Sequence, residues 1–289
     1  MWGPVCWPST TTRGQHCRFV AGMRSTLKWS PNQSTALHRE AGMLSSTKGF
    51  SALMNPRPVF AMRTMNDHPF IPLNWTERTS LEMFERAQTN CDELALRRTT
   101  RDFSTRDVER KLIEAAILSG STAPNGAHLQ PWTWVAIRNK ELQSKLREAA
   151  EHEERKTYSE RMPEAWSEVL EPLGTDAIKP HLTDAPWIVV LFKQKKRQRP
   201  NGKWGPTYYA TESCGIAAGM FIQAVHHMGL VTLTHTPSPM GFLRELLGRP
   251  THEEAMLVMP VGYPKEGALV PDIHRKTLDE VAVFFDQAS

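Results

Sequence analysis

Cysteine is scarce in this sequence of 289 residues, which contains four cysteines. They form no Cys-x-x-Cys pair and no metal-ligand spacing, so neither a disulfide scaffold nor a cysteine-based zinc site is expected. The neighbouring residues His226 and His227 point about 100° apart on a helix and cannot face one metal ion together. We therefore expect no metal.

Several motifs of common enzyme classes are also missing. The sequence has no Gly-x-Gly-x-x-Gly motif for binding a dinucleotide and no Walker loop for binding a triphosphate. It also lacks the Gly-x-Ser-x-Gly elbow that carries the nucleophile of one class of serine hydrolase. No apolar run reaches about 18 residues, the length of a membrane-spanning helix, and no secretory signal follows Met1.

The charge of the chain is concentrated in its first part. The formal net charge of +4 is too small to argue for nucleic acid, but residues 1–65 hold eight Lys or Arg and a single acid, Glu40. Such a basic, hydroxyl-rich composition is typical of a mitochondrial transit segment or of disorder, and both interpretations stay open. We expect a disordered extension over 1–65, a folded domain over 66–289, and a cytoplasmic or mitochondrial location in preference to secretion.

Hydrophobic periodicity predicts alternating helices and strands. Leu81 and Phe84 lie on the apolar face of a helix that ends near 95, and Ser104 with Asp107 resembles a capping box for a helix closed by Gly120. The predicted order is helix, strand, helix, strand, helix, strand, helix, strand, with a possible C-terminal edge strand at 281–285. This order indicates helices packed around one sheet, as an α+β or α/β fold. The strands are predicted at 132–137, 186–193, 230–234 and 255–264, and the longer helices at 140–162 and 208–229.

An arginine cluster is the clearest chemical signal. Arg97, Arg98 and Arg101 stand in RRTTR just before the predicted helix at Ser104. Guanidinium groups bind phosphate with two parallel hydrogen bonds, and a helix N-terminus would add to that attraction. A solvated basic surface explains the same residues equally well from composition alone.

Two motifs resolve this ambiguity by resemblance. RRTTRDFS, followed by TAPNGAHLQPW, resembles the opening of the FMN-dependent nitroreductase superfamily. The longer set of motifs between about 68 and 285, including EERKTYSERM, GLVTLTHTP and VPDIHRKTLDE, resembles the iodotyrosine deiodinases within it. This resemblance implies an α+β sandwich of helices around a mixed central sheet. It also implies an intertwined homodimer with FMN at the subunit interface, for which the small residues of the helix 208–229 would allow close approach.

The resemblance also assigns residues to the cofactor. Asn125 replaces a serine of the family, and His235 stands in a stretch that reads Thr-Thr-Thr in vertebrate relatives. Thr236, the last of that stretch, would place its hydroxyl at N5 of the flavin and is the expected catalytic residue. The full set of expected cofactor-binding residues is Arg97, Arg98, Thr99, Thr100, Arg101, Pro124, Asn125, Thr234, His235, Thr236 and Arg275.

Four further residues are expected to bind the substrate. Ala127 matches a small residue whose backbone faces the phenolate, and Glu154, Tyr158 and Lys179 resemble the substrate lid. Glu154 and Tyr158 are four residues apart and share one helical face. A zwitterionic amino acid needs an anion for its ammonium, a cation for its carboxylate and a surface over its ring, and this trio offers all three.

The expected function is reductive removal of iodide from 3-iodo-L-tyrosine, and from 3,5-diiodo-L-tyrosine, with FMN and electrons from NADPH, supplied directly or through a reductase. Two alternatives remain at this point. One is a general NAD(P)H-dependent nitro or quinone reductase, for which the zwitterion would be irrelevant. The other is a flavin-binding protein without turnover, whose reduced flavin would pass electrons to no acceptor.

Overall fold

The computed structural model describes residues 63–65 and 68–286. The predicted extension over 1–65 therefore lies almost entirely outside the described residues, and its boundary stays a prediction. The chain divides after Asn74 into two units. In the first, strand β1 (Arg63–Met65) pairs antiparallel with strand β2 (His68–Phe70).

The second unit is built on a four-stranded sheet. Its strands follow one another in space as β3 (Trp132–Ile137), β4 (Trp187–Gln194), β8 (Glu253–Gly262) and β7 (Val231–Thr232). All three neighbouring pairs are antiparallel, whereas the resemblance implied a mixed sheet. Among the described residues, the parallel pairing is confined to one isolated bridge, which joins Thr99 to Thr232 at the β7 edge. A separate hairpin is formed by β5 (Lys196–Gln198) and β6 (Trp204–Pro206).

Helices cover both faces of this sheet. In β4, Trp187, Val189 and Leu191 belong to one hydrophobic cluster, whereas the alternate residues Ile188 and Val190 belong to another. This alternation follows from the two-residue period of a strand, and it makes β4 the buried centre of the unit. The predicted α+β architecture is confirmed. The strand at 132–137 has the predicted bounds, and the strand predicted at 186–193 is shifted by one residue. The strand predicted at 230–234 is shorter, and the one predicted at 255–264 begins and ends two residues earlier. The helices are α1 (Ser80–Ala95), α2 (Arg110–Ser121), α3 (Lys140–Lys156), α4 (Glu164–Leu170), α5 (His181–Asp184), α6 (Ala210–His227), α7 (Gly241–Leu246) and α8 (Leu278–Val281).

A glycine sets the close approach of α2 and α6. A Cβ atom placed on Gly120 would lie 2.9 Å from the Ala217 carbonyl oxygen and 3.1 Å from Cβ of Phe221. Real side chains do not tolerate the first of these distances. Gly120 is therefore needed within α2, near its end, and the predicted role of Gly120 as the helix terminator is wrong.

The start of α2 also differs from the prediction. The helix begins at Arg110 and has Glu109 as its N-cap, without a side-chain hydrogen bond. The backbone N–H of Ser104 instead donates to the Tyr263 carbonyl, and Asp107 forms an ion pair with Arg138. The expected helix N-terminus beside the arginine cluster is therefore wrong, and its dipole adds nothing to the anion site there.

Two other elements depart from expectation. The predicted helix over 140–162 ends at Lys156 and continues as one π-helical turn, Thr157–Arg161. The predicted edge strand at 281–285 is wrong, because α8 ends at Val281 and the following residues, through residue 286, pair with no strand.

Apolar side chains stay exposed on two of the helices. In α1, Leu81 is 67% exposed and Phe84 is 68% exposed, although the pattern predicted their burial. In α6, Ala217 is buried against the rest of the unit, whereas Gly215 and Gly219 are exposed and a Cβ on either would meet nothing within 4 Å. Both helices thus present a surface that no other part of the described chain covers.

Candidate functional site

The segment RRTTR follows α1 and runs along the β7 edge of the sheet. The backbone N–H of Thr100 donates to the Thr232 carbonyl at 3.3 Å, and Thr99 forms the parallel bridge to the same residue. Thr100 is buried and Thr99 is exposed. These main-chain contacts fix the segment beside the loop that carries Thr234.

Two arginines tie the C-terminal segment to this region. Arg275 donates from Nη1 to the Ala95 carbonyl at 3.0 Å and from Nη2 to the Arg97 carbonyl at 2.7 Å. Arg98 donates in return from Nη2 to the Pro271 carbonyl. The last turn of α1 contains no basic residue of its own, so Arg275 also places a cation at the negative end of that helix.

A cleft of about 310 Å³ lies between these segments, lined by three arginines of RRTTR, by Arg275 and by the threonines Thr99 and Thr234. Within 63–65 and 68–286, no carboxylate forms an ion pair with Arg97, Arg98, Arg101 or Arg275. Four guanidinium groups without acidic partners form a donor set suited to a phosphate anion.

The loop 234–236 presents its side chains alternately. The main chain of His235 is bonded to Val258 in both directions, with N···O distances of 2.8 and 2.9 Å. This bridge leaves Thr234 and Thr236 exposed, while the side chain of His235 points into the protein and is buried. Both threonine hydroxyls can therefore donate to a bound group, in agreement with the alternation of an extended chain.

The predicted lid residues come together in a second cavity of about 180 Å³. The Glu154 carboxylate has its Oε1 2.9 Å from Nε2 of His235 and its Oε2 3.7 Å from Nζ of Lys179. Tyr158 donates its hydroxyl to the Thr175 carbonyl at 3.2 Å, and its ring centroid lies 5.6 Å from Nζ of Lys179. Arg101 and Thr234 line both this cavity and the arginine cleft, so the two cavities are adjacent.

Lys179 is held firmly although it is charged and only 4% exposed. Its ammonium donates to Oγ1 of Thr175 at 3.1 Å and to the Asp176 carbonyl, and its own backbone N–H donates to Glu151 at 2.8 Å. Burial lowers the pKa of Lys179, and the nearby Glu154 and Asp176 carboxylates oppose this shift. The neighbouring acids thus offset part of the cost of burying the Lys179 ammonium in the cavity.

His181 is a site residue that the sequence did not indicate. It lies at the start of α5, is 3% exposed and lines the cavity with His235. Burial, together with the neighbouring His235 and Lys179, lowers the pKa of His181 to about 3, so its ring is neutral at physiological pH. Its position two residues after Lys179 was the available signal.

Three predicted residues lie elsewhere in the structure. Pro124, Asn125 and Ala127 line neither the arginine cleft nor the cavity around Glu154. Asn125 accepts from the Gln130 backbone N–H at 2.8 Å and donates to the Ala123 carbonyl at 3.0 Å, which closes its own loop. Ala127 has a left-handed backbone, with φ of 51°. This loop contacts the start of α6, since Gly126 donates to Oγ of Ser213 at 3.4 Å.

A model of the Nitroreductase family matches residues 94–263, a range that contains the arginine segment, the lid and the loop 234–236. The chain belongs to the nitroreductase family. Within this family it is similar to an iodotyrosine deiodinase of Haliscomenobacter hydrossis, with 44% identity over 216 residues that cover 75% of this chain and 97% of the relative. Iodotyrosine deiodinase 1 of Mus musculus is 41% identical over 214 residues, which cover 74% of this chain and 75% of the mouse protein.

A solved structure of this family has the same fold. It is the structure of an oxidised iodotyrosine deiodinase bound to FMN and 3-iodo-L-tyrosine, and it matches with a TM-score of 0.60 and 23% identity. The match covers 69% of this chain and 100% of the other. The nitroreductase fold predicted from the sequence is thereby confirmed.

Proposed function

We propose that this protein is an FMN-dependent enzyme that removes iodide reductively from 3-iodo-L-tyrosine, and from 3,5-diiodo-L-tyrosine. The observation that carries this proposal is the cavity in which Glu154 and Lys179 place a carboxylate and an ammonium 3.7 Å apart, next to the arginine cleft. Two opposite charges at this spacing can bind one amino acid, because the Glu154 carboxylate can contact its ammonium and the Lys179 ammonium can contact its carboxylate. The relatives named iodotyrosine deiodinase support the same substrate.

The residues of the arginine cleft fit FMN. Arg97, Arg98 and Arg101 would bind its phosphate, because they have no carboxylate partner among the described residues and line one cleft. Arg275 joins them there, although two of its nitrogens already bond to carbonyl groups. Exposed hydroxyls at Thr99, Thr234 and Thr236 would complete the cofactor contacts, and Thr100 would support them through its buried backbone bond.

When bound, FMN supplies the electron chemistry. Replacing iodide by hydrogen on the ring consumes two electrons and one proton and releases one iodide ion for each tyrosine formed. We propose NADPH as the source of these electrons, acting directly or through a separate reductase. The protein binds and orients the substrate: Glu154 takes its ammonium, Lys179 takes its carboxylate and Tyr158 covers the ring, while the lid excludes water.

We propose in addition that the enzyme is a homodimer. The resemblance implies that Pro124, Asn125 and Ala127 contact the flavin and the substrate phenolate, yet their loop contacts the start of α6 and does not line the arginine cleft of the same chain. A second copy would supply this loop. The exposed apolar residues of α1 and the exposed Gly215 and Gly219 of α6 offer surfaces for that copy to cover.

Within the described residues, no helix has the length and apolar character needed to cross a membrane. The basic, acid-poor composition of residues 1–65 is typical of a mitochondrial transit segment or of disorder, and we propose a cytoplasmic or mitochondrial location in preference to secretion.

Ligand binding tests the proposed substrate. The FMN-loaded protein is titrated with 3-iodo-L-tyrosine and with 2-iodophenol, and the flavin fluorescence is followed. We expect iodotyrosine to bind more tightly by a factor of about 100 or more, because two charged contacts are added. Equal affinities would contradict the proposal and would favour the general nitro or quinone reductase.

A further inference from the structure

His235 connects the two parts of the proposed site. Its Nε2 lies 2.9 Å from Oε1 of Glu154, and its side chain is only 8% exposed. A carboxylate has no hydrogen to give, so Nε2 carries the hydrogen and donates it. The bond joins the end of α3 to the loop that carries Thr234 and Thr236.

The position of the histidine ring is fixed from two directions. The main chain of His235 is bonded to Val258 of β8 through both its N–H and its carbonyl. The ring packs edge-on against His181, with 5.3 Å between the centroids and 78° between the planes. His181 is itself 3% exposed, and its pKa of about 3 keeps its ring neutral, so it contributes packing and no charge. His235 is therefore a rigid donor.

Glu154, in contrast, depends on its partners for orientation. It lies near the end of a helix rich in exposed charges, and Lys179, at 3.7 Å, is beyond hydrogen-bond distance. Among the described residues, His235 makes the one short hydrogen bond to the Glu154 side chain. The direction of that bond turns Oε2 toward Lys179 and the cavity.

We propose that His235 is a positioning residue that acts through Glu154. By binding Oε1 it keeps the carboxylate charge where the ammonium of a zwitterionic substrate enters, and it ties this recognition to the loop of Thr236. The proposal rests on the proposed function, because it takes Glu154 as the partner of the substrate ammonium.

Two substitutions separate the donor from the bulk of the side chain. His235→Leu removes the donor, whereas His235→Gln keeps an N–H near the position of Nε2. Dissociation constants for 3-iodo-L-tyrosine and 2-iodophenol are measured by flavin fluorescence on the full, FMN-loaded chain. We expect His235→Leu to weaken iodotyrosine binding about tenfold or more, because it removes a hydrogen bond to a charged group. Binding of 2-iodophenol should change less than about twofold, and His235→Gln should recover most of the loss.

A double-mutant cycle shows whether His235 acts through Glu154. In the Glu154→Gln background there is no carboxylate charge to orient. His235→Leu should therefore have little further effect on the ratio of the affinities for 3-iodo-L-tyrosine and 2-iodophenol. Full additivity of the two substitutions would overturn the proposal, and so would equal losses for both ligands, which indicate a general packing defect.

The failures of the two proposals are distinguishable. If the wild-type protein binds iodotyrosine and iodophenol equally, the proposed substrate is wrong. The proposed role of His235 is then wrong too, because it depends on that substrate. A different result overturns only the role of His235. In that case the wild type prefers iodotyrosine and Glu154→Gln abolishes this preference, but His235→Leu retains it.

Discussion

Removing either charge of the Glu154–Lys179 pair should weaken amino-acid binding selectively. The side chains of Lys179 and Glu154 are 5% and 14% exposed, so water screens their charges little. The loss of one charged partner in such a site costs about 2 to 5 kcal/mol, which corresponds to a factor of about 30 or more in affinity. We therefore expect Glu154→Gln and Lys179→Gln each to raise the dissociation constant of 3-iodo-L-tyrosine by that factor.

The measurement uses two ligands and a matched control. 2-Iodophenol has neither ammonium nor carboxylate, so both substitutions should leave its affinity nearly unchanged. Lys156→Gln removes a lysine charge from α3, the helix that carries Glu154, but Lys156 is 40% exposed, lies 3.7 Å from Glu153 and does not line the cavity. It should change iodotyrosine binding by less than about twofold. Equal losses for both ligands in the Glu154 and Lys179 variants would refute the reasoning and point to a general defect of the lid.

Three further changes test other parts of the account. Arg97→Ala combined with Arg98→Ala should lower the FMN content of the purified protein, measured by absorbance, whereas Arg110→Ala, which removes an exposed ion-paired arginine, should not. Full FMN occupancy in the double variant would contradict the assignment of these arginines to the phosphate. Deleting residues 1–60 should leave flavin content and turnover nearly intact, since that part of the sequence has no core pattern, and a truncated protein that fails to fold would show that the predicted boundary is misplaced. Thr236→Ala should reduce deiodination more than nitro reduction, because a hydroxyl donating to the flavin contributes about 1 kcal/mol. If both activities stay at the wild-type level, the role assigned to Thr236 is wrong.

The sequence predicted the centre of the fold well because burial leaves a strong local signal there. The run at 187–192 is apolar because β4 is covered on both faces, and the run at 132–137 pairs with β4 along its whole length. The start of α2 was mispredicted because long-range contacts override a local cap: the Ser104 N–H bonds to Tyr263, and Asp107 pairs with Arg138.

The candidate site depended on resemblance more than on local pattern. Glu154 and His235 are separated by 81 residues in the sequence, so no spacing rule connects them, and the bond between them was not predicted. The lid residues, the arginines and Thr236 were assigned together only because their motifs resemble those of one family. The apolar face of α1 was identified, but its predicted burial is not seen in this chain, because a hydrophobic pattern does not say which surface would cover it.

The most direct test of the proposed chemistry is a single turnover without oxygen. The FMN-loaded protein is reduced fully with dithionite, excess reductant is removed, and 3-iodo-L-tyrosine is added while flavin absorbance, tyrosine and iodide are measured. We predict that the flavin reoxidises and that one tyrosine and one iodide form for each flavin. A flavin that stays reduced with iodotyrosine but is rapidly reoxidised by a nitroaromatic compound or a quinone would contradict this account.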